Sequence, residues 1–429
     1  MPTQNRNSPQ AQQDPAIYKA IESCRLCGSA GLTPVIDLGI IALTGVFPRD
    51  PATDVPSGPL SLLKCDACHL VQLAHNYRPA LLYGKTYGYR SGLNESMVSH
   101  LQSLVGTITQ RIALQPGNWV IDIGSNDGTT LGAYYVPGLN RLGIDPSAGK
   151  FRKYYQPDIL ILEDFFTAAG ARKIMGSSKA KVISSIAMFY DLENPLAFAR
   201  DVVDMLADDG IWVLEQSYLP AMLKAVSYDS ICHEHLEYYG LTQIKYIADK
   251  LALKIIDVSL NDVNGGSFVV TMAKQATKWP EVAFKVLALL REEQALGLHT
   301  TAPFIQFSQH IDTQKQALLA LLEQLKQEGK TVFGYGASTK GNVLLQYCGI
   351  DSRLLPCIAE VNSDKYGAFT PGTRIPILSE AEAKARKPDY FLVLPWHFRT
   401  NIVEREQSFL KQGGKLIFPM PQLDIVAGT

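Results

Sequence analysis

The order of apolar and polar positions predicts a chain that alternates strand and helix over most of its length. A short apolar run (Trp119, Val120, Ile121, Ile123) enters a glycine-rich turn and leaves it into Thr129-Thr130-Leu131, read as strand, tight turn and helix start. The pattern recurs as strands over 141–144, 159–162 and 181–185. A helix over 195–207 follows Asn194, then a turn at Asp208-Asp209-Gly210 and a strand over 211–217. Upstream, Ser91-Gly92 opens a helical stretch over 91–114. Downstream, the strand 254–258 and the apolar run ending at Met272 flank Asn264-Gly265-Gly266, a hairpin-type turn that gives the sheet an antiparallel end. Helical segments follow over 279–296 and 305–326, the second with Leu318, Leu321, Leu322 and Leu325 at helical spacing. A second strand, glycine turn and helix unit begins at Thr331, with later strands over 390–394 and 415–418. The expected fold class is α/β with a doubly wound sheet.

Length and charge narrow this picture. A chain of 429 residues exceeds one core, so two or three domains are expected. With 46% apolar and 19% charged residues it has an ordinary globular composition, and its net charge of -1 argues against nucleic acid or an anionic membrane as partner. No apolar run reaches the roughly 18 residues of a spanning helix. Residues 1–15 lack the apolar core of a signal peptide and read as a disordered lead-in, so a cytoplasmic location is expected.

Four of the seven cysteines form two knuckles, Cys24-x-x-Cys27 and Cys65-x-x-Cys68. Paired knuckles favour tetrahedral zinc, and four thiolates leave no open position, so the metal would be structural. The other reading is two pairs of buried cysteines.

Chemistry concentrates at three further places. The turn V-I-D-I-G-S-N-D-G-T-T carries Asp122, Gly124, Asn126, Asp127 and Gly128, and Asp145 ends the next strand. It is neither a P-loop nor G-x-G-x-x-G. Acid there suits a ligand with a cationic end, and Asp145 is placed for ribose hydroxyls. Asp164-Phe165 can bond and stack on an adenine. These features resemble class I S-adenosylmethionine methyltransferases; the rival is a dehydrogenase with an odd turn. The stretch I-C-H-E-H-L-E-Y-Y-G holds His233, Glu234 and His235, with Tyr228 upstream. A histidine beside a carboxylate is a natural general base, and hydrogen-bonded structural histidines are the bland alternative. The turn G-Y-G-A-S-T-K-G-N (Tyr335, Ser338, Lys340, Asn342) is basic and suits phosphate oxygens. Lys340 and Arg374 would hold a diphosphate, unless this unit serves only structure or oligomerisation. The tyrosines Tyr83, Tyr87 and Tyr89 read equally as a lid over ligands or as aromatic packing.

Taken together and in order, the paired C-x-x-C module, D-I-G-S-N-D-G, I-C-H-E-H-L-E-Y-Y, G-Y-G-A-S-T-K-G-N, P-G-T-R-I-P-I and L-P-W-H-F resemble the nucleotide-sugar C-methyltransferases, from Cys24 to Pro421. The resemblance implies a class I methyltransferase Rossmann-like sheet, a small N-terminal zinc-binding domain and a C-terminal Rossmann-like domain. The expected boundaries are a lead-in over 1–20, zinc domain over 21–80, methyltransferase domain over 81–310 and nucleotide-sugar domain over 311–429. It implies S-adenosylmethionine and zinc as cofactors and a dTDP- or GDP-linked 4-keto-6-deoxyhexose as acceptor, methylated at C3. His235 is the implied base, with Glu234, His233, Tyr228 and Tyr87 around it, and Tyr89 joins the donor site. Tyr83, Asn94, Tyr335, Ser338, Lys340, Asn342, Glu360, Lys365, Arg374, Trp396 and His397 are the expected acceptor contacts. The oligomeric state stays open, a monomer included. The chain departs from the family at Cys232, where tyrosine is frequent, and at Met188, Asn264 and Val269, where histidine, histidine and arginine occur. O- or N-methylation of another nucleotide-linked sugar, and a non-catalytic or nicotinamide-binding double Rossmann protein, are the rival functions.

Overall fold

The computed structural model describes residues 17–82 and 90–428. Its centre is a seven-stranded sheet in the order Leu253–Asn261, Ser267–Lys274, Leu206–Ser217, Ala180–Ile186, Trp119–Ile123, Asn140–Ile144 and Ile159–Leu162. Five strands run parallel. Ser267–Lys274 is antiparallel to Leu206–Ser217, and Leu253–Asn261 pairs antiparallel with it through the expected hairpin. The first strand, Trp119–Ile123, is flanked by Asn140–Ile144 on one side and Ala180–Ile186 on the other. Strand order therefore reverses at its edge, and a crevice opens there at the carboxyl ends. Both faces of the sheet are buried, which is why its strands read as apolar runs rather than alternating patterns.

Two local expectations are corrected. Asp208-Asp209-Gly210 is not a turn between elements: it lies inside the strand Leu206–Ser217, whose register with the neighbouring strand shifts between Leu206 and Ile211. Gly210 is required there, because a Cβ would stand 2.8 Å from the Ala180 carbonyl oxygen. The helix after Ser91 spans Glu95–Arg111, beginning where the Asn94 side chain accepts from the Ser96 amide.

A six-stranded C-terminal sheet runs Ile377–Ser379, Ile358–Glu360, Val332–Tyr335, Tyr390–Val393, Lys415–Phe418 and Asp424–Ala427, parallel except for its last strand. Its own reversal falls between Val332–Tyr335 and Tyr390–Val393, the strands that lead into the Lys340 turn and into Trp396-His397. The helix Ala302–Gln327 buries Leu318, Leu322 and Leu325 in the core shared by this sheet and the N-terminal strands. Among the described residues no helix is long and apolar enough to cross a membrane.

The N-terminal unit is a sheet of Leu32–Ala42, Ser57–Cys65 and Val71–Leu73. Its fourth strand comes from far along the chain: Glu237–Tyr238 pairs antiparallel with Val71 and Gln72. The segment carrying His235 is thus held by main-chain bonds to the cysteine module.

Candidate active site

The crevice of the central sheet holds a cavity of about 210 Å³. Asp122, Gly124, Asn126, Asp145, Asp164 and Phe165 line it together, as the sequence places them. Gly124 turns with φ of 75°, and a Cβ on it would strike the Met188 side chain at 2.9 Å. Asp145 accepts from the Asn126 amide at 2.9 Å and from Ser147, which aims its carboxylate across the turn. Phe165 is 58% exposed, an unpacked ring at the cavity edge. Asp122 is only 2% exposed, and burial, with Asp145 nearby, pushes its carboxyl up to about 7 despite a 2.5 Å bond from the Ser184 hydroxyl. A buried acid costing this much is stabilised by a cation, and a free ring beside an acid suits a purine. The donor set therefore fits an adenosine with a cationic end.

Two expected members of this site have other work. Asp127 accepts from the Gly92 amide at 2.9 Å and from the Thr129 hydroxyl, tethering the 91–93 turn to the first strand. Gly128 serves as the left-handed residue before the helix Thr129–Gly132, under the Tyr155 ring. Tyr83, Tyr87 and Tyr89 lie outside the described residues.

One feature of the cavity was missed from the sequence. Glu215, 2% exposed, receives the Nε2 of His100 at 2.8 and 2.9 Å and the Asn261 amide at 2.8 Å, and both His100 and Glu215 face the cavity. The available signal was a carboxylate at the carboxyl end of the otherwise apolar strand I-W-V-L-E-Q-S.

In the N-terminal unit the four Sγ atoms of Cys24, Cys27, Cys65 and Cys68 all lie within 4.8 Å of one another. Thiolates about 2.3 Å from a tetrahedral zinc stand about 3.8 Å apart, so the cluster fits the ion. Each knuckle closes by a main-chain bond, Gly28 to Cys24 at 2.9 Å and His69 to Cys65 at 3.0 Å. The Cys24 and Cys68 thiols share one proton across their contact, which pulls Cys24 down and pushes Cys68 up. The adjoining Arg25 donates to the Leu73 and Leu236 carbonyls, so the first knuckle also grips the His235 segment.

Within that segment the two histidines part. His235 is half-buried; its Nδ1 meets the Ser230 carbonyl at 2.8 Å, which assigns the proton to Nδ1 and leaves Nε2 as an acceptor. Burial first, and then the charge of Lys340, bring its pKa down to about 4, so the ring is neutral at neutral pH. His233 is 0% exposed and packs edge-on against Tyr77 at 4.6 Å in the N-terminal sheet. Tyr228 is buried too: its hydroxyl meets the Cys348 thiol at 3.4 Å in the core beneath the helix Thr339–Cys348. Glu234 is buried close to Gly45; neither it nor His235 is part of the donor-cavity lining.

The expected acceptor contacts divide as well. Asn94 and Ser338 cap helices. Tyr335 is a core residue bonded to Glu406 at 2.9 Å, and Asn342 is buried and donates to the Thr44 carbonyl at 2.7 Å, so neither is open to a ligand. Glu360 receives the Ala337, Val361 and Asn362 amides, and Lys365 donates to the Ala337 carbonyl at 2.7 Å. Arg374 sits exposed in a left-handed turn with φ of 55°, whereas Lys340 crosses to Asn264, so the expected joint clamp is not assembled. Trp396 donates to the buried Asp229 at 2.8 Å and packs edge-on against His397.

Family models match three consecutive stretches: a zinc binding domain over residues 24–83, a methyltransferase domain over 97–258 and a C-methyltransferase C-terminal domain over 262–421. The chain is 30% identical to C-methyltransferase NovU of Streptomyces niveus over 414 residues, 96% of this chain and 98% of that one. Among solved structures, the plantazolicin methyltransferase BpumL in complex with a triazolic desmethylPZN analogue and SAH overlaps 43% of this chain and 87% of its own, at 10% identity and a TM-score of 0.35. An O-methyltransferase family protein from Burkholderia thailandensis overlaps 43% and 59%, at 16% identity and a TM-score of 0.33.

Proposed function

The chain belongs to the S-adenosylmethionine-dependent C-methyltransferase family, and from that premise we propose that it methylates C3 of a nucleotide-linked 4-keto-6-deoxyhexose, with His235 taking the proton. S-adenosylmethionine supplies an electrophilic methyl group, and a structural zinc ion is held by the four thiolates. Asp122, Asp145, Asp164 and Phe165 would hold the donor by its cationic end, its ribose and its base.

Carbon is a poor nucleophile until a neighbouring carbonyl acidifies its C–H bond. The acceptor must therefore carry a ketone beside the methylated carbon, and the protein must offer a base there. The observation that carries the reading is His235: a neutral imidazole with its proton fixed on Nδ1 by the Ser230 carbonyl, a free Nε2, and a segment anchored by main-chain bonds to the zinc module. Its low basicity rises as an enolate forms beside it, because the new anion offsets the imidazolium. Alignment of the carbanion with the donor then supplies much of the acceleration.

The test is mass spectrometry on dTDP- and GDP-linked 4-keto-6-deoxyhexoses in heavy water. A methyl gain with the donor, and deuterium wash-in at C3 without it, is the expected result; His235→Gln should abolish both while retaining donor binding. A methyl gain on the 4-hydroxy analogue without wash-in would overturn the reading in favour of oxygen.

A further inference from the structure

The ammonium of Lys340 stands where three parts of the molecule meet. It leaves the first turn of the helix Thr339–Cys348, crosses to the tip of the central hairpin and donates to the Asn264 carbonyl oxygen at 3.0 Å. Asn264 lines the donor cavity, and on Gly265 beside it a Cβ would stand 3.3 Å from the Trp396 ring. Trp396 in turn bonds Asp229, on the segment that carries His235. The charge of Lys340 is felt at Asp229, His235 and His397. Among the described residues its only hydrogen bond is to a neutral carbonyl, so at least two of its protons remain to be used.

A cation whose field reaches a base opposes that base, since it raises the cost of the imidazolium. The arrangement becomes productive only if an anion forms between the two groups in the same step. Proton removal next to a ketone makes such an anion. The C–H electron pair becomes the carbon–carbon double bond of the enolate, the carbonyl oxygen takes the negative charge, and the proton passes to Nε2 of His235. We propose that Lys340 is a catalytic residue whose ammonium receives the acceptor's enolate oxygen as His235 takes the proton. This rests on the keto-sugar reading above. It also gives Lys340 a role different from diphosphate binding, for which its expected companion Arg374 is not in place. Methyl transfer afterwards restores the ketone and releases the ammonium from its anion, so the group is reset without a proton of its own being spent.

The experiment compares Lys340→Met and Lys340→Arg with the unaltered protein in three measurements. These are deuterium wash-in at saturating dTDP- or GDP-linked 4-keto-6-deoxyhexose without donor, calorimetric affinity for that sugar, and calorimetric affinity for S-adenosylmethionine as a control on the hairpin. The expected result is a wash-in rate lowered roughly 10²–10³-fold in Lys340→Met, as for loss of one oxyanion donor. Both affinities should hold, and arginine should restore part of the rate. Wash-in unchanged at saturation with sugar affinity lost would overturn the proposal and return Lys340 to the diphosphate. Loss of donor binding in both variants would overturn it in favour of a tether for the hairpin. If the unaltered protein exchanges no proton on any keto-sugar, the acceptor reading fails first. If it exchanges and Lys340→Met exchanges equally, only the role of Lys340 fails.

Discussion

Replacing Asp122 by asparagine should stabilise the donor-free protein while weakening its hold on the donor. Asp122 is buried beside Ser184 and Thr130, and desolvation, opposed by those hydroxyls and reinforced by Asp145, raises its carboxyl from an ordinary 3.8 to about 7. The sign follows from which state binds the proton more tightly. The folded chain holds it up to about pH 7, whereas the unfolded chain releases it near 3.8. Stability at this position is therefore full below pH 4 and is lost progressively as the pH rises to about 7. At roughly 1.4 kcal/mol per pH unit, the ionised carboxylate costs the fold about 4 kcal/mol above that range. Asparagine keeps the shape and the accepting oxygen for Ser184 but never ionises. Thermal melts of the donor-free proteins from pH 4 to 8 should start together and diverge, with Asp122→Asn the more stable at high pH. Calorimetry with S-adenosylmethionine should show weaker binding to the variant. It should also show proton release on binding to the unaltered protein near pH 7, since a bound cation favours the carboxylate. A difference in melting that stays constant over the whole range, or a variant less stable at pH 8, would refute the reasoning.

Three more outcomes follow from the same structure. Stripping zinc with a chelator should destabilise the N-terminal unit by much of the about 10–16 kcal/mol typical of structural zinc in small peptides. Because Glu237–Tyr238 is a strand of that unit, methyl transfer should go with it, and a chelated protein that melts and turns over normally would contradict the coupling. Glu215→Gln leaves one of its three hydrogen bonds, to His100 or Asn261, facing a like donor. Melts should fall by about 1–3 kcal/mol and donor affinity about tenfold; unchanged calorimetry would show that the pair is not part of the donor site. Trp396→Phe deprives the buried Asp229 of its 2.8 Å partner, which should cost about 1–3 kcal/mol in a denaturant melt, and no loss would mean that water or Lys340 takes the place of the indole.

Much of the architecture was legible locally. Apolar runs that end in glycine turns mark strands feeding helices, because period and turn chemistry are properties of a few consecutive residues. The cysteine knuckles are equally local, and so is the donor turn, where Asp122, Gly124 and Asn126 all face the cavity. Even here, spacing could not tell Asp127 from Asp122. Asp122 lies on the strand Trp119–Ile123 and lines the cavity, whereas Asp127, in the turn beyond it, ties down the Gly92 amide. Residues distant in sequence and brought together by the fold were out of reach. The sequence by itself determined a doubly wound donor site, a zinc module and a second Rossmann-like unit. Only the tertiary structure gave the two histidines different surroundings. A two-residue strand at Glu237 pairs with Val71 and Gln72, which sends His233 into the N-terminal core and leaves His235 with a free nitrogen. It alone joined His100 to Glu215 and carried Lys340 across to Asn264. The physical reason is common to all three. Strand pairing and side-chain reach between units depend on which surfaces meet, and no period along the chain records that.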